Sequence, residues 1–323
     1  MRFLTFFIFF ILGCLALFIL LIWGQTGNPT KMSQWVDDVY EKKRNIAQSI
    51  KTKKIILVSG SNALFGVDSR MLEDTFKLPV VNYSVNAGIE LPLTLFKAQE
   101  VIHKGDTVIM PLEYPMYSYD GTAGVQMIDY LLAREPKYFT KLTLQEQFYI
   151  VWHITVNRII EGYIDSENTP VTKGIYGAHH VNVYGDQIKT EIKYRSKKMY
   201  KDMLKTHLTN PEAYGVTYDQ NNLGWIYLEE FVKWCEDREV KVIFMPSTIM
   251  QDSSYFTSKK EKWFYSHIAE VVRNKGWNYI GDPYDYMYDK ELYFNTNFHL
   301  IDSARKMRTE KMIEDLLKHN IML

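Results

Sequence analysis

The stretch KKIILVSGSNALFG, residues Lys53 to Gly66, opens the globular part of this chain with an apolar run that stops in small residues and sets Ser61 at the turn. A short apolar run bounded by a turn reads as a buried strand. A hydroxyl at its carboxyl end lies where open α/β sheets gather their ligand crevice. Working outward, further strands are expected over residues 79–85 and 106–112, with helices over Arg70 to Phe76, capped by Asp68, and over 92–103, with Pro92 in the first turn. The alternation resumes with a helix from Leu223 to Glu236, a strand over 240–245, a helix from Lys259 to Asn274, a short strand over 278–281 and a closing helix from Asp302 to His319. Apolar strands alternating with amphipathic helices predict an α/β fold with a parallel sheet covered on both faces.

The composition narrows the function. A chain of 323 residues that is 46% hydrophobic can fill a sizeable core. Lys plus Arg and Asp plus Glu both number 38, so no net field draws the chain to nucleic acid, and no nucleic-acid partner is expected. Gly60-Ser61-Asn62 lacks the later glycines of a dinucleotide fingerprint and the lysine of a P-loop, and no cofactor is implied. His179 and His180 adjoin in a Gly-rich loop, but apart from distant Asp186 no carboxylate or cysteine stands at ligand spacing, so no metal site is assigned.

Phe3 to Trp23 carries no charge and is long enough to cross about 30 Å of hydrocarbon as a helix. Residues 1–25 therefore read as a transmembrane anchor, 26–52 as a helical stalk, and 53–323 as the α/β domain, interrupted by an insertion over about 121–221. Inside the insertion, Leu142 to Tyr163 reads as one long aromatic-rich helix and Asp165 to Lys189 as a loop, a candidate for substrate selection and partner contact. Arg2 precedes the anchor while Lys31, Lys42, Lys43 and Arg44 follow it, so charge counting leaves the orientation open.

Two residues at opposite ends of the domain carry the candidate chemistry. Ser61 is placed to act as a nucleophile, and His299, in the loop before the last helix, to act as its base. Either alone is ordinary loop composition. Their joint occurrence on an alternating α/β chain suggests a serine site.

Ser59-Gly60-Ser61-Asn62 resembles the first block of the SGNH or GDSL-type hydrolases, with Gly60 where soluble members carry Asp, and Asn82-Tyr83-Ser84-Val85-Asn86-Ala87-Gly88 is similar to their second block. The resemblance implies a flavodoxin-like three-layer sheet, Ser61 as nucleophile, His299 as base, and the amides of Ser61 and Gly88 as the oxyanion hole. The third block departs from the pattern: Pro111-Leu112-Glu113-Tyr114 stands where the family has an oxyanion-donating Asn. The last block departs too, with Thr296 where the family carries its Asp and Asn295 one residue further back. Asn295 can orient the ring through its carbonyl oxygen; Asp302, Asp282 and Asp285 are the nearby carboxylates, Asp302 having a competing reading as a helix cap. Asn62, Glu113 and Asp302 join the list of possible site residues.

The nearest likeness is to membrane-anchored SGNH-like proteins that partner membrane-bound O-acyltransferases in polysaccharide O-acetylation and teichoic-acid D-alanylation. It implies a single-pass membrane protein with an extracytoplasmic globular domain, transferring an acyl group, most simply acetyl, to a polysaccharide or other cell-envelope glycan through an acyl-Ser61 intermediate. The alternatives are a non-catalytic scaffold that docks the acyltransferase and positions glycan, and a simple carbohydrate esterase.

Overall fold

Strands Ile55–Leu57 (β1), Val80–Asn82 (β2) and Thr107–Met110 (β3) are buried at every residue, as a parallel sheet clothed by helices requires. The computed structural model describes residues 2–164, 174–209 and 213–319. Helices α1 (Arg2–Gln25) and α2 (Lys31–Ser49) precede β1; α3 (Ser61–Gly66) and α4 (Ser69–Phe76) lead to β2, and α5 (Glu90–Gln99) leads to β3. Helices α6 (Val125–Arg134), α7 (Leu144–His153), α8 (Val156–Tyr163), α9 (Lys197–Thr209), α10 (Tyr214–Thr217) and α11 (Leu223–Glu236) follow. Strands β4 (Lys241–Phe244) and β5 (Ile249–Met250), helices α12 (Ser254–Thr257) and α13 (Lys259–Asn274), strands β6 (Asn278–Tyr279) and β7 (Met287–Tyr288) and helix α14 (Asp302–Lys318) complete the chain.

The chain divides into two compact units, Met1–Asp37 with Gly121–Thr172, and Asp38–Asp120 with Lys173–Leu323. The larger is built on a five-stranded parallel sheet in the order β2-β1-β3-β4-β6, and a separate parallel pair joins β5 to β7. Leu57 stands opposite both Asn82 and Ile109, and Met110 opposite Phe244. The chain passes from β1 to β2 on one side and then to β3 on the other, so a crevice is expected outside the carboxyl ends of β1 and β3. One core cluster gathers Ile55, Leu57 and Ile109 with Ala63 of α3, Leu72 of α4 and Met312 and Leu316 of α14. Asp68 caps α4 by accepting from the Met71 amide.

In the smaller unit, α1 is long and apolar enough to span a membrane. Its carboxyl end meets α8: the Tyr163 hydroxyl donates to the Leu21 carbonyl at 2.9 Å, and Asn28 Nδ2 donates to the Gly162 carbonyl at 2.6 Å. Below that contact, Arg158 of α8 donates to Gln25 and pairs with Asp129 of α6 at 2.5 Å, while the Thr30 hydroxyl donates to the same carboxylate at 2.6 Å. Burial raises the Asp129 pKa and lowers that of Arg158, each opposed by its partner.

One expectation is corrected. The helix expected over 142–163 is two, because Ile154 and Thr155 are extended and the Thr155 hydroxyl caps α8 by accepting from Arg158 N–H at 3.1 Å. Within residues 26–52, Val39, Tyr40, Lys43 and Ala47 of α2 are buried, and Lys43 Nζ donates to the Ser84 carbonyl beyond β2. Within 121–221, Gly121–Thr172 belongs to the smaller unit and the residues from Lys173 onward to the larger. Of the loop expected over 165–189, residues 165–173 lie outside the described residues; the rest contains a short bridge between Val181 and Gln187.

At the amino ends of β1 and β3, Lys54 Nζ and Asp106 Oδ2 pair at 2.8 Å with both side chains buried, and Asp106 also accepts from the amides of Lys54 and His103. Removing one member of such a pair strands a buried charge. Asp106→Ala is expected to lower unfolding stability by roughly 3–5 kcal/mol in urea titration, and Lys54→Met with Asp106→Leu by clearly less.

Candidate functional site

Where β1 ends, the chain turns sharply into α3, and the turn is held by side chains from β3 and α14. Glu113 follows β3, and its buried carboxylate accepts from the Gly60 amide at 2.8 Å and the Asn62 amide at 2.9 Å, with the Ser59 hydroxyl at 2.9 Å. It caps the free N–H groups at the start of α3, a task no side chain of Gly60 can perform. A Cβ at Gly60 would stand 2.5 Å from Glu113 Oε1 and 2.6 Å from both the nitrogen and Cβ of Ala87. A side chain at this position, an Asp included, therefore has no room.

Asn62 is fully buried beneath the turn. Its Nδ2 donates to Ser59 Oγ at 2.7 Å and the Pro111 carbonyl at 2.9 Å. Arg308, fully buried on α14, donates to the Asn62 carbonyl at 3.0 Å, to Asn62 Oδ1 at 2.8 Å and to the Pro246 carbonyl at 3.3 Å. Asn62 and Glu113 are thus committed to building the turn. Of residues 60–66, Ser61 alone is not fully buried, and neither its hydroxyl nor its amide is hydrogen-bonded among the described residues.

His299 lies in a tight loop closed by a bridge between Tyr293 and Leu300 and by the Phe294 amide donating to the His299 carbonyl at 2.6 Å. Asn295 spans this loop, its Oδ1 2.7 Å from His299 Nδ1, while its Nδ2 donates to the Tyr176 hydroxyl at 2.9 Å. The imidazole stacks on Phe65 of α3 with centroids 3.9 Å apart and planes 3° apart. Phe65 follows Ser61 by one helical turn, so the two candidate residues are brought to one end of the sheet, without a hydrogen bond between them. With Nδ1–H donated to Asn295, Nε2 carries the lone pair and has no partner among the described residues. Burial alone pushes the imidazole pKa down to about 3, so the ring is neutral at ordinary pH.

The other candidates are placed less favourably. The Gly88 amide donates to Asn86 Oδ1 at 2.8 Å, inside a short turn, Ala87–Ile89, that abuts Gly60. Just past it, Glu90 holds φ 61° and ψ 172°, a backbone region almost reserved for glycine. Asp302 does not reach His299 and is not the cap of α14, a position held by Ile301; it pairs instead with Arg305 and, at 3.2 Å, with Lys306. Asp282 accepts from the Tyr284 amide at 3.0 Å, and Asp285 pairs with Lys311 at 3.1 Å. Asn295 is the group that holds the ring.

A cleft of about 610 Å³ opens beside Asn295, lined by Tyr176, His180, Lys189, Tyr194 and Met199 as well. His180 Nδ1 lies 3.0 Å from the Ile175 carbonyl, and Asp186 is buried against Ser69 and Asn82. Among the described residues no group of three or more His, Cys, Asp or Glu side chains is placed to hold a metal ion.

Sequence reasoning passed over Arg308, Tyr176 and Phe65. Arg308 had a readable signal: it lies on the buried stripe Ala304, Arg308, Met312 and Leu316, where a charge requires a partner. Tyr176 had none. No protein-family model and no curated protein matches the chain.

Glu113→Gln keeps the shape but turns an amide donor towards backbone donors, and a stability loss of about 1.5–3 kcal/mol in urea is expected. The pH dependence of stability should carry the mark of His299. Its folded pKa, about 3, lies below the ordinary 6.5, so the unfolded chain binds the proton more readily and stability falls as pH drops through that window. Against wild type, His299→Gln is expected to remove a slope of up to about 1.4 kcal/mol per pH unit from pH-resolved melting curves.

Proposed function

We propose that this chain is a membrane-anchored SGNH-type protein with a flavodoxin-like domain outside the cytoplasm, which transfers an acyl group through an ester on Ser61 to a hydroxyl of a cell-envelope polysaccharide. The observation that carries this reading is the neutral ring of His299, fixed by Asn295 and Phe65 one helical turn from the unengaged Ser61 hydroxyl, with Nε2 free to accept a proton. The strand order β2-β1-β3-β4-β6 supports it by setting the turn at the expected crevice.

In the proposed cycle, Ser61 Oγ attacks the acyl carbonyl while Nε2 of His299 takes the hydroxyl proton, which passes to the departing group as its bond breaks. A glycan hydroxyl then attacks the acyl-serine, gives its proton to Nε2, and Ser61 Oγ recovers it on leaving. The Ser61 amide holds the developing oxyanion; the Gly88 amide contributes by sharing its bond to Asn86. Asn295 orients the ring without neutralising the imidazolium, so turnover slower than with an Asp partner is expected. The cleft walled by Tyr176 and Tyr194 is the proposed glycan seat, and a membrane-bound O-acyltransferase the proposed acyl donor.

The scaffold reading keeps one specific support: the amides of Gly60, Asn62 and Gly88 are all satisfied by side chains of the protein, leaving the Ser61 amide as the uncommitted donor. Cellular glycan acylation and labelling by a serine-directed fluorophosphonate separate the two. Transfer chemistry predicts labelling of Ser61, and a loss of acylation of at least about 100-fold in Ser61→Ala and His299→Ala. Undiminished acylation in both variants, with no labelling, rejects catalysis and leaves the scaffold.

A further inference from the structure

Helices α7 and α8 turn large apolar side chains outward. Leu144, Phe148 and Trp152 recur every fourth residue of α7 and are 82%, 70% and 75% exposed; Val156, Ile160 and Ile164 repeat that spacing from the start of α8 and are exposed as well. Six large apolar side chains exposed on two successive helices mark a partner or a membrane rather than water.

Position decides which. Tyr163 and Gly162 of α8 bind the carbonyl of Leu21 and the side chain of Asn28, and a Cβ at Gly24 would stand 2.4 Å from the Tyr163 oxygen. Helix α7 reaches the same height, because its Val151 and the adjoining Ile154 share an apolar cavity of about 300 Å³ with Ile19, Ile22 and Trp23. Leu21 and Ile22 lie within the apolar run of α1, so both short helices stand level with the edge of the hydrocarbon that α1 is built to cross.

We propose that α7 and α8 lie in the interface of the bilayer leaflet from which α1 emerges, with these apolar side chains among its acyl chains. The polar groups fit. Arg158 is turned inward against Asp129 and Gln25, keeping its charge off the exposed face. Lys137 and Lys141 are exposed on the preceding turn, where their stems can lie along lipid while their ammonium groups reach the headgroups. Trp23, Trp152 and Tyr163 are the side-chain types that settle at that depth. The placement goes beyond acyl transfer at Ser61 and needs only that α1 sits in a bilayer.

The full-length protein, reconstituted in phosphatidylcholine–phosphatidylglycerol vesicles, tests it with a bimane label on one cysteine at a time. Phe148→Cys, Trp152→Cys and Ile160→Cys are made in a Cys14→Ser, Cys235→Ser background, with the exposed Lys104→Cys as aqueous reference; native Cys14, in a Cys235→Ser chain, reports on the span. Quenching by lipids brominated on their acyl chains is expected to be at least about threefold stronger at the three apolar positions than at position 104, with iodide showing the reverse. Iodide quenching at all three equal to that at position 104, with Cys14 quenched by bromolipid, overturns the placement while leaving the anchor intact. Loss of bromolipid quenching at Cys14 as well overturns both. Protection from iodide that disappears when lipid is raised about tenfold over protein marks contact between copies of the chain and also overturns it.

Discussion

A buried carboxylate and a buried guanidinium, joined through one asparagine, hold the strand-turn-helix on which the rest of the larger unit is arranged. Neither charge could stay in that interior unpartnered. Glu113 gathers two backbone amides and a hydroxyl from the turn after β1, while Arg308 gathers both oxygens of Asn62 and a carbonyl from the loop after β4. The network thereby locks the ends of three strands to the final helix. It also dictates its own neighbours: glycine at position 60, because Glu113 fills the space beside it, and glycine at position 66, where a Cβ would stand 2.5 Å from Arg308 Nη1. Ser61 stands on a turn that has little freedom to move.

The sheet was legible because apolar runs between amphipathic helices leave few alternatives, and α11 and α13 begin and end where periodicity sets them. The break at Ile154 and Thr155 was not, since the apolar spacing continues across it and only the capping hydroxyl of Thr155 marks the interruption. The division of the middle region was equally hidden, because it depends on which surfaces pack together. At the candidate site, residue type and order single out Ser61, His299 and Asn295, and the contact of His299 with Asn295 is the part that the structure shows. That a phenylalanine would carry the imidazole, or a tyrosine 119 positions away in sequence would steady the asparagine, is a matter of tertiary placement alone. Glu113 was visible as an oddity; its work as a surrogate helix cap was not, because that requires the register of β1 against β3.

The environment of His299 differs from that of a ring paired with a carboxylate. Stacked on Phe65 and held by an uncharged amide, it resists protonation, and desolvation alone accounts for this. A ring of this kind is a weak base that gives up a proton readily.

The Glu90 backbone bears on how the second loop behaves. A residue with a Cβ at φ 61° and ψ 172° sits roughly 1–3 kcal/mol above its relaxed geometry, here between the buried Ile89 and Leu91. A glycine at position 90 would adopt the same angles without that cost. The exit from this loop into α5 is therefore set by packing against the core and not by the local preference of its own backbone.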